Sequence, residues 1–159
     1  MSLFSSRYFM SQALKEAERA YAEDEVPVGA IVVKNKRIIA RAHNQVERLK
    51  DPTAHAEILA VTQAASYLGN KWLKGCCLYV TIEPCLMCAY AMILARIEGL
   101  FFAASDEKTG AFGSKLDITK IKFNHSLKVK KGIMAAEASS LMKRFFEKKR
   151  KQKKGLLWV

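Results

Sequence analysis

A chain of 159 residues, half of them apolar and only three of them proline, has the composition of one globular domain and not of a disordered polymer. Its formal charge of +12 excludes an acidic or neutral surface and favours polyanionic partners, of which nucleic acid is the commonest. Residues 1–7 lack the apolar core of a signal peptide, and the longest apolar runs, such as 26–33, are too short for a bilayer; a cytoplasmic protein without a membrane segment is expected.

In chain order, Tyr8, Ala13, Ala17 and Ala20 recur near one face and predict an amphipathic helix over residues 8–23, broken by Pro27. Residues 28–33 read as a buried strand. A tight polar turn at Asn35-Lys36 leads into its hairpin partner, 37–41, which ends near Asn44. Asp51-Pro52-Thr53 supplies helix-start chemistry ahead of His55 and predicts a helix over 54–67. The β-branched and aromatic run 76–82 reads as a central strand. Pro84 suits the first turn of a helix that continues from Cys85 to about Arg96. Residues 100–104 and 127–131 read as further strands, and 135–150 as a long closing helix. Strands alternating with helices imply a layered α/β fold. A single domain spans 1–159, with a basic C-terminal helix and tail over about 135–159 and an apolar end at 156–159.

Positive charge gathers late in the chain. Lys120, Lys122, Lys128, Lys130 and Lys131 precede Lys143, Arg144, Lys148, Lys149, Arg150, Lys151, Lys153 and Lys154. On its own such a run is equally a solvated helix face and a surface for polyanions.

The four cysteines suit metal better than a disulfide framework, because Cys76 and Cys77 are adjacent and Cys85 and Cys88 sit one helical turn apart. A catalytic zinc takes about three protein ligands and keeps an open position for water. His55 offers a nitrogen, and the i, i+3 spacing of Cys85 and Cys88 puts two thiols on one helical face. Both cysteines fall at a predicted helix N-terminus, where the dipole favours thiolate. Glu57, two residues beyond His55, stands where a proton shuttle for water is needed. Alone, the Cys85–Cys88 pair also fits a redox motif or half of a structural zinc site. A structural site wants a fourth ligand, and His43, His125, Cys76 and Cys77, the candidates left, are not paired at ligand spacing. The combination is far more specific than its parts: His-x-Glu, then 26 residues, then Pro-Cys-x-x-Cys is a nucleobase-deaminase signature.

Longer stretches carry a resemblance from about residue 8 to 150. They are Glu25-Val26-Pro27-Val28-Gly29-Ala30, Asn44, Asp51-Pro52-Thr53-Ala54-His55-Ala56-Glu57-Ile58 and Val80-Thr81-Ile82-Glu83-Pro84-Cys85-Leu86-Met87-Cys88. To these add residues 106–114, with Lys108-Thr109-Gly110-Ala111 and Gly113-Ser114, and the Phe145-Phe146 pair ahead of the basic tail. In them the chain resembles the bacterial tRNA-specific adenosine deaminases, a branch of the cytidine-deaminase-like superfamily. The zinc motifs are shared across the superfamily; residues 108–114 and the terminal Phe-Phe point to the tRNA branch.

The resemblance implies a three-layer α/β/α fold with a mixed five-stranded sheet flanked by helices. It also implies a homodimer with one zinc per subunit, and conversion of adenosine to inosine at the wobble position of an arginine tRNA anticodon. His55, Cys85 and Cys88 would hold zinc and Glu57 would move protons. Asn44 would hydrogen-bond the base, while Val28, Pro84 and the backbone at Ala56 line the pocket. Asp106 and Lys108 would meet the nucleotides flanking the target, and Phe146 with Lys149 or Arg150 the anticodon loop. Asn44 equally suits a turn cap, and at least one of Phe145 and Phe146 is expected in the core. Tyr90 departs from the small residue of many relatives, and Ala103 from a common glycine. Two rival functions share parts of this pattern: a deaminase of free bases such as guanine, and a non-catalytic zinc-stabilised RNA-binding module.

Overall fold

The computed structural model describes residues 3–156, with side chains from Ser6 onward; residues 157–159 of the apolar end lie outside it. Five strands form one mixed sheet in the order β2-β1-β3-β4-β5. The strands are β1 (Gly29–Lys34), β2 (Arg37–His43), β3 (Cys76–Ile82), β4 (Gly99–Ala104) and β5 (Lys128–Lys131). The first three pair antiparallel, and β3, β4 and β5 run parallel. The hairpin turn falls at Asn35 and Lys36, whose positive φ angles of 50° and 61° match the left-handed geometry of a two-residue connection. A bulge at Val32/Val33 precedes the turn.

Alternation along the strands builds two cores. Ala30 and Val32 of β1, with Leu78 and Val80 of β3, face helices α3 (Ala56–Leu68) and α4 (Leu86–Leu94). Ile31, Val33 and Tyr79 point the other way, toward α1 (Leu3–Ala22) and α5 (Ala135–Leu156). The result is the expected three-layer α/β/α sandwich with a five-stranded mixed sheet. Helix α1 lies so close to β1 that a Cβ on Gly29 would collide with the Ala13 carbonyl and the Ala17 amide nitrogen. Only glycine admits that approach.

Several boundaries differ from the sequence expectations. Pro84 does not open α4: it precedes the N-cap Cys85, and the helix begins at Leu86. The helix also stops at Leu94, because Ala95 caps it and Arg96 turns to a φ of 60°. Helix α5 runs on to Leu156, through Gly155, because its exposed lysines and arginines keep a solvated helical face. Two short elements have no counterpart in the sequence reading: α2 (Val46–Leu49) and a 3₁₀ turn (Ile118–Lys120). No helix among the described residues is long and apolar enough to cross a membrane.

Candidate active site

The parallel half of the sheet delivers the chemistry. Chains leaving the C-terminal ends of β3 and β4 meet the N-terminus of α3, an arrangement that leaves a crevice for ligand. His55 is the N-cap of α3 and Cys85 the N-cap of α4, each in extended backbone conformation and neither making a side-chain capping bond. Their carbonyls accept the first helical hydrogen bonds, from Leu59 and Ala89. Both side chains are thereby free to turn toward each other. Cys88 joins them from the first turn of α4. His55 Nδ1 lies 3.6 Å from Cys85 Sγ and 3.6 Å from Cys88 Sγ. Tetrahedral zinc with ordinary bond lengths holds a nitrogen and a sulfur ligand about 3.5 Å apart, so the three groups fit the metal. The Pro52 backbone adds, after Cys85 and Glu57, to the groups that favour a proton on the His55 ring.

The electrostatics suit a cation. Hydrogen bonds from Cys88 and His55, against the opposing effect of burial, hold the Cys85 thiol at about 4. Cys88, which shares its proton with Cys85 and is more buried, is pushed up. The Cys85 partner raises His55. Glu57, 4 % exposed, sits in the first turn of α3 beside Cys88, and burial pushes its carboxyl above the usual carboxylate range. A group poised in this way can both take and return a proton.

Among the described residues, His55, Cys85 and Cys88 form the only cluster of three or more potential metal ligands. The other candidates are engaged elsewhere. His43 lies between Glu16 and Glu23, His125 bonds the Ile97 carbonyl, and Cys76 and Cys77 open β3 at its opposite end. Three ligands beside a buried carboxyl is the pattern of a catalytic metal, not of a closed structural one.

His55 and Cys85 of the cluster line a cavity of about 360 Å³, whose walls also include Val28, Asn44, Pro52, Glu57, Ile82, Glu83, Asp106 and Thr109, with Cys88 buried behind them. Val28 and Asn44 therefore stand where the sequence places them, joined by a backbone bond from Asn44 N–H to the Val28 carbonyl of 3.1 Å. Ala56 and Pro84 are buried behind the wall: Ala56 follows the His55 cap, and the Pro84 carbonyl accepts from Ala111 N–H. Sequence reasoning missed Glu25 and α2. The Glu25 carboxylate, 1 % exposed, accepts from the amides of Glu47 and Arg48 and pins α2 at the cavity mouth. As the last of three consecutive acids, Glu23-Asp24-Glu25, it carried no signal for that task.

The cavity opens into a groove of about 790 Å³ between residues 104–109 and α5, lined by Lys108, Lys143, Phe146 and Arg150. Val26, Ile82, Asp106, Thr109 and Met142 line both spaces, so the two are continuous. Phe145 is buried and Phe146 is 42 % exposed, so the pair divides between core and groove. The Asp106 carboxylate folds its own turn, accepting from the Lys108 and Thr109 amides and the Thr109 hydroxyl. Lys149 points elsewhere: it donates to Asp24 at 2.5 Å and lies over the Phe145 ring. Of the two basic residues singled out at the end of α5, the structure brings only Arg150 to the groove.

Comparison with known proteins agrees with this architecture. The family described as MafB19-like deaminase matches residues 4–150. A tRNA-specific adenosine deaminase of Aquifex aeolicus is 51% identical over 144 residues, covering 90% of this chain and 95% of its own. A structure from a study of A-to-I editing by tRNA:A34 deaminases at the wobble position of transfer RNA superposes with a TM-score of 0.78 at 41% identity, covering 84% of this chain and 98% of the other. A guanine deaminase from Nitrosomonas europaea shares the fold at a TM-score of 0.73 and 26% identity, covering 87% of this chain and 83% of the other.

Proposed function

The chain belongs to the tRNA-specific adenosine deaminases, and from that premise we propose that its substrate is the wobble adenosine of an arginine tRNA anticodon, deaminated at a zinc site made by His55, Cys85 and Cys88. The protein is a hydrolytic enzyme that converts adenosine to inosine in tRNA. The observation that carries the finer reading is the continuity of the cavity holding Glu57 with a groove lined by Lys108, Lys143, Phe146 and Arg150. A free base needs the cavity alone; a nucleotide within a strand needs both.

Zinc held by these residues supplies the Lewis acidity that makes a water nucleophilic near neutral pH. The chain's own groups do the rest. The target adenosine leaves its loop and enters the cavity. Asn44, carrying both donor and acceptor, reads the ring edge. Glu57 takes one proton of the attacking water and delivers it to ring N1, then takes the second from the hydroxyl now on C6 and gives it to the amino group, which departs as ammonia. Lys108, Lys143 and Arg150 meet phosphates, and Phe146 stacks on a loop base.

An apolar groove of about 660 Å³, lined by Leu86, Tyr90 and Leu94 of α4 with Ile121 and Phe123, supports a homodimer through this face. Tyr90, where many relatives carry a small residue, packs against Phe123 at 5.4 Å between ring centroids. Leu94→Glu is expected to halve the mass measured by sedimentation. A tRNA substrate supports a cytoplasmic location.

The deciding assay offers the protein guanine, cytosine and an arginine tRNA anticodon stem-loop and measures inosine in the RNA. Turnover of the stem-loop alone is expected. Glu57→Ala should retain zinc and RNA binding while inosine formation falls on the order of 10²–10⁴-fold. Turnover of guanine alone would replace this reading with a free-base deaminase. Unaltered activity of Glu57→Ala would remove its proton-shuttle role.

A further inference from the structure

Glu83 is a buried carboxylate that the chemistry above does not use. It lies between the end of β3 and the Pro84-Cys85 step and is 3 % exposed. Every side-chain hydrogen bond it accepts comes from one loop. The Asp106 amide at 3.4 Å and the Ser114 hydroxyl at 2.5 Å reach Oε1. The Phe112 amide at 3.1 Å and the Ser114 amide at 3.3 Å reach Oε2. A carboxylate, with four lone-pair sites and no proton to place, is the side chain that can accept all four. Gly110, midway along the loop, lies flat against it: a Cβ there would strike the Glu83 carboxylate and the Asp106 carbonyl. The glycine is required by space, since its φ is not in the left-handed region. Bridging of Cys85 to Gly110, and the bond from Ala111 N–H to the Pro84 carbonyl at 2.9 Å, fasten the same loop to the Pro84-Cys85 step ahead of α4.

The loop so held bears Asp106 and Thr109 on the cavity wall and Lys108 on the groove. We propose that Glu83 is a positioning residue for the RNA: its carboxylate sets the 106–114 loop against the Cys85 corner, and thereby the spacing between the zinc ligands and the groups that meet nucleotides flanking the target. The proposal rests on the tRNA reading above. Its physical basis is the cost of leaving buried amides unpartnered. Three amides and a hydroxyl lose their acceptor without Glu83, and the loop recovers them only by moving toward water.

Glutamine tests this finely. Its NH₂ at the Oε1 place can donate to Ser114 Oγ but leaves the Asp106 amide without an acceptor; at the Oε2 place it would face two amides. Glu83→Gln is therefore expected to raise the Kd and KM for the anticodon stem-loop about tenfold, with zinc content and kcat near those of wild type. Gly110→Ala, which pushes the loop off an intact Glu83, should give the same split. A merely structural role would lower kcat and Tm together and leave KM unmoved, because the folded fraction would work normally. Three measurements suffice: stem-loop affinity by fluorescence anisotropy, steady-state kinetics, and bound zinc. A wild-type KM in both variants would overturn the proposal. Absence of inosine formation by wild type on the stem-loop would instead bring down the tRNA reading, and this inference with it.

Discussion

The His55–Cys85–Cys88 corner and the groove-side rim of this enzyme are built on different terms. The corner stands on regular structure: His55 and Cys85 cap α3 and α4, and the sheet beneath fixes both helices. The rim sets irregular chain and a four-residue helix against α5. Residues 105–114 and α2 hold their shape because buried carboxylates, Glu83 and Glu25, accept from their backbone amides. With the roles proposed above, chemistry would rest on the fold and recognition on a few side-chain anchors, so the two should fail separately.

The largest expected effect tests that separation. Cys88→Ser removes a sulfur from the triad, and zinc content and inosine formation should be lost together while stem-loop affinity stays close to wild type. Metal analysis beside anisotropy reads both, and a collapse of RNA binding would show that corner and rim are one unit. The next effect lies on the rim alone. Phe146→Ala should cost about 1–3 kcal/mol of stem-loop affinity, the usual value of a base stack, and leave the single-turnover rate at saturating RNA nearly unchanged. A fall in that rate would place Phe146 in the chemistry.

The smallest effect distinguishes neighbours on α5. Lys149, engaged with Asp24, should contribute little to RNA affinity, so Lys149→Ala is expected to leave the Kd almost unaltered. The Lys149 hydrogen bond, with the charges of Lys149 and Lys148 adding to it, holds the Asp24 carboxyl below the usual carboxylate range. Both partners are well exposed and screened, so the pair is worth well under about 1 kcal/mol of stability. Because the folded-state value is the lower one, that contribution is present above the unfolded carboxyl value and disappears as pH falls through the folded one. The stability gap between wild type and Lys149→Ala should close in acid, which thermal melts across pH will show.

The unequal construction also explains what was legible in the sequence. Zinc chemistry demands fixed residue types at short spacings, so His55, Glu57, Cys85 and Cys88 announce themselves. The run from Cys76 to Ile82, rich in β-branched and aromatic residues, marks β3 to the residue. Glu83 and Glu25 have no such signature, because a carboxylate that collects amides from a distant loop depends on tertiary placement and not on periodicity. The direction of Lys149 was hidden for a related reason. Successive helical residues are turned by about 100°, so Lys149 and Arg150 cannot share a face, and only the docking of α5 decides which meets the groove. The four-residue α2 is too short to carry a pattern at all.

The two uncapped helix starts have a consequence for anyone redesigning this protein. Asn, Asp and Ser are the residues a helix prefers at its N-cap, and they are commonly worth about 0.5–2 kcal/mol there. His55→Asn and Cys85→Ser are therefore changes that local helix energetics alone would reward. A stability screen blind to turnover would select against the catalyst at these two positions first, so their occupation by a histidine and a cysteine records which of the two demands evolution put ahead.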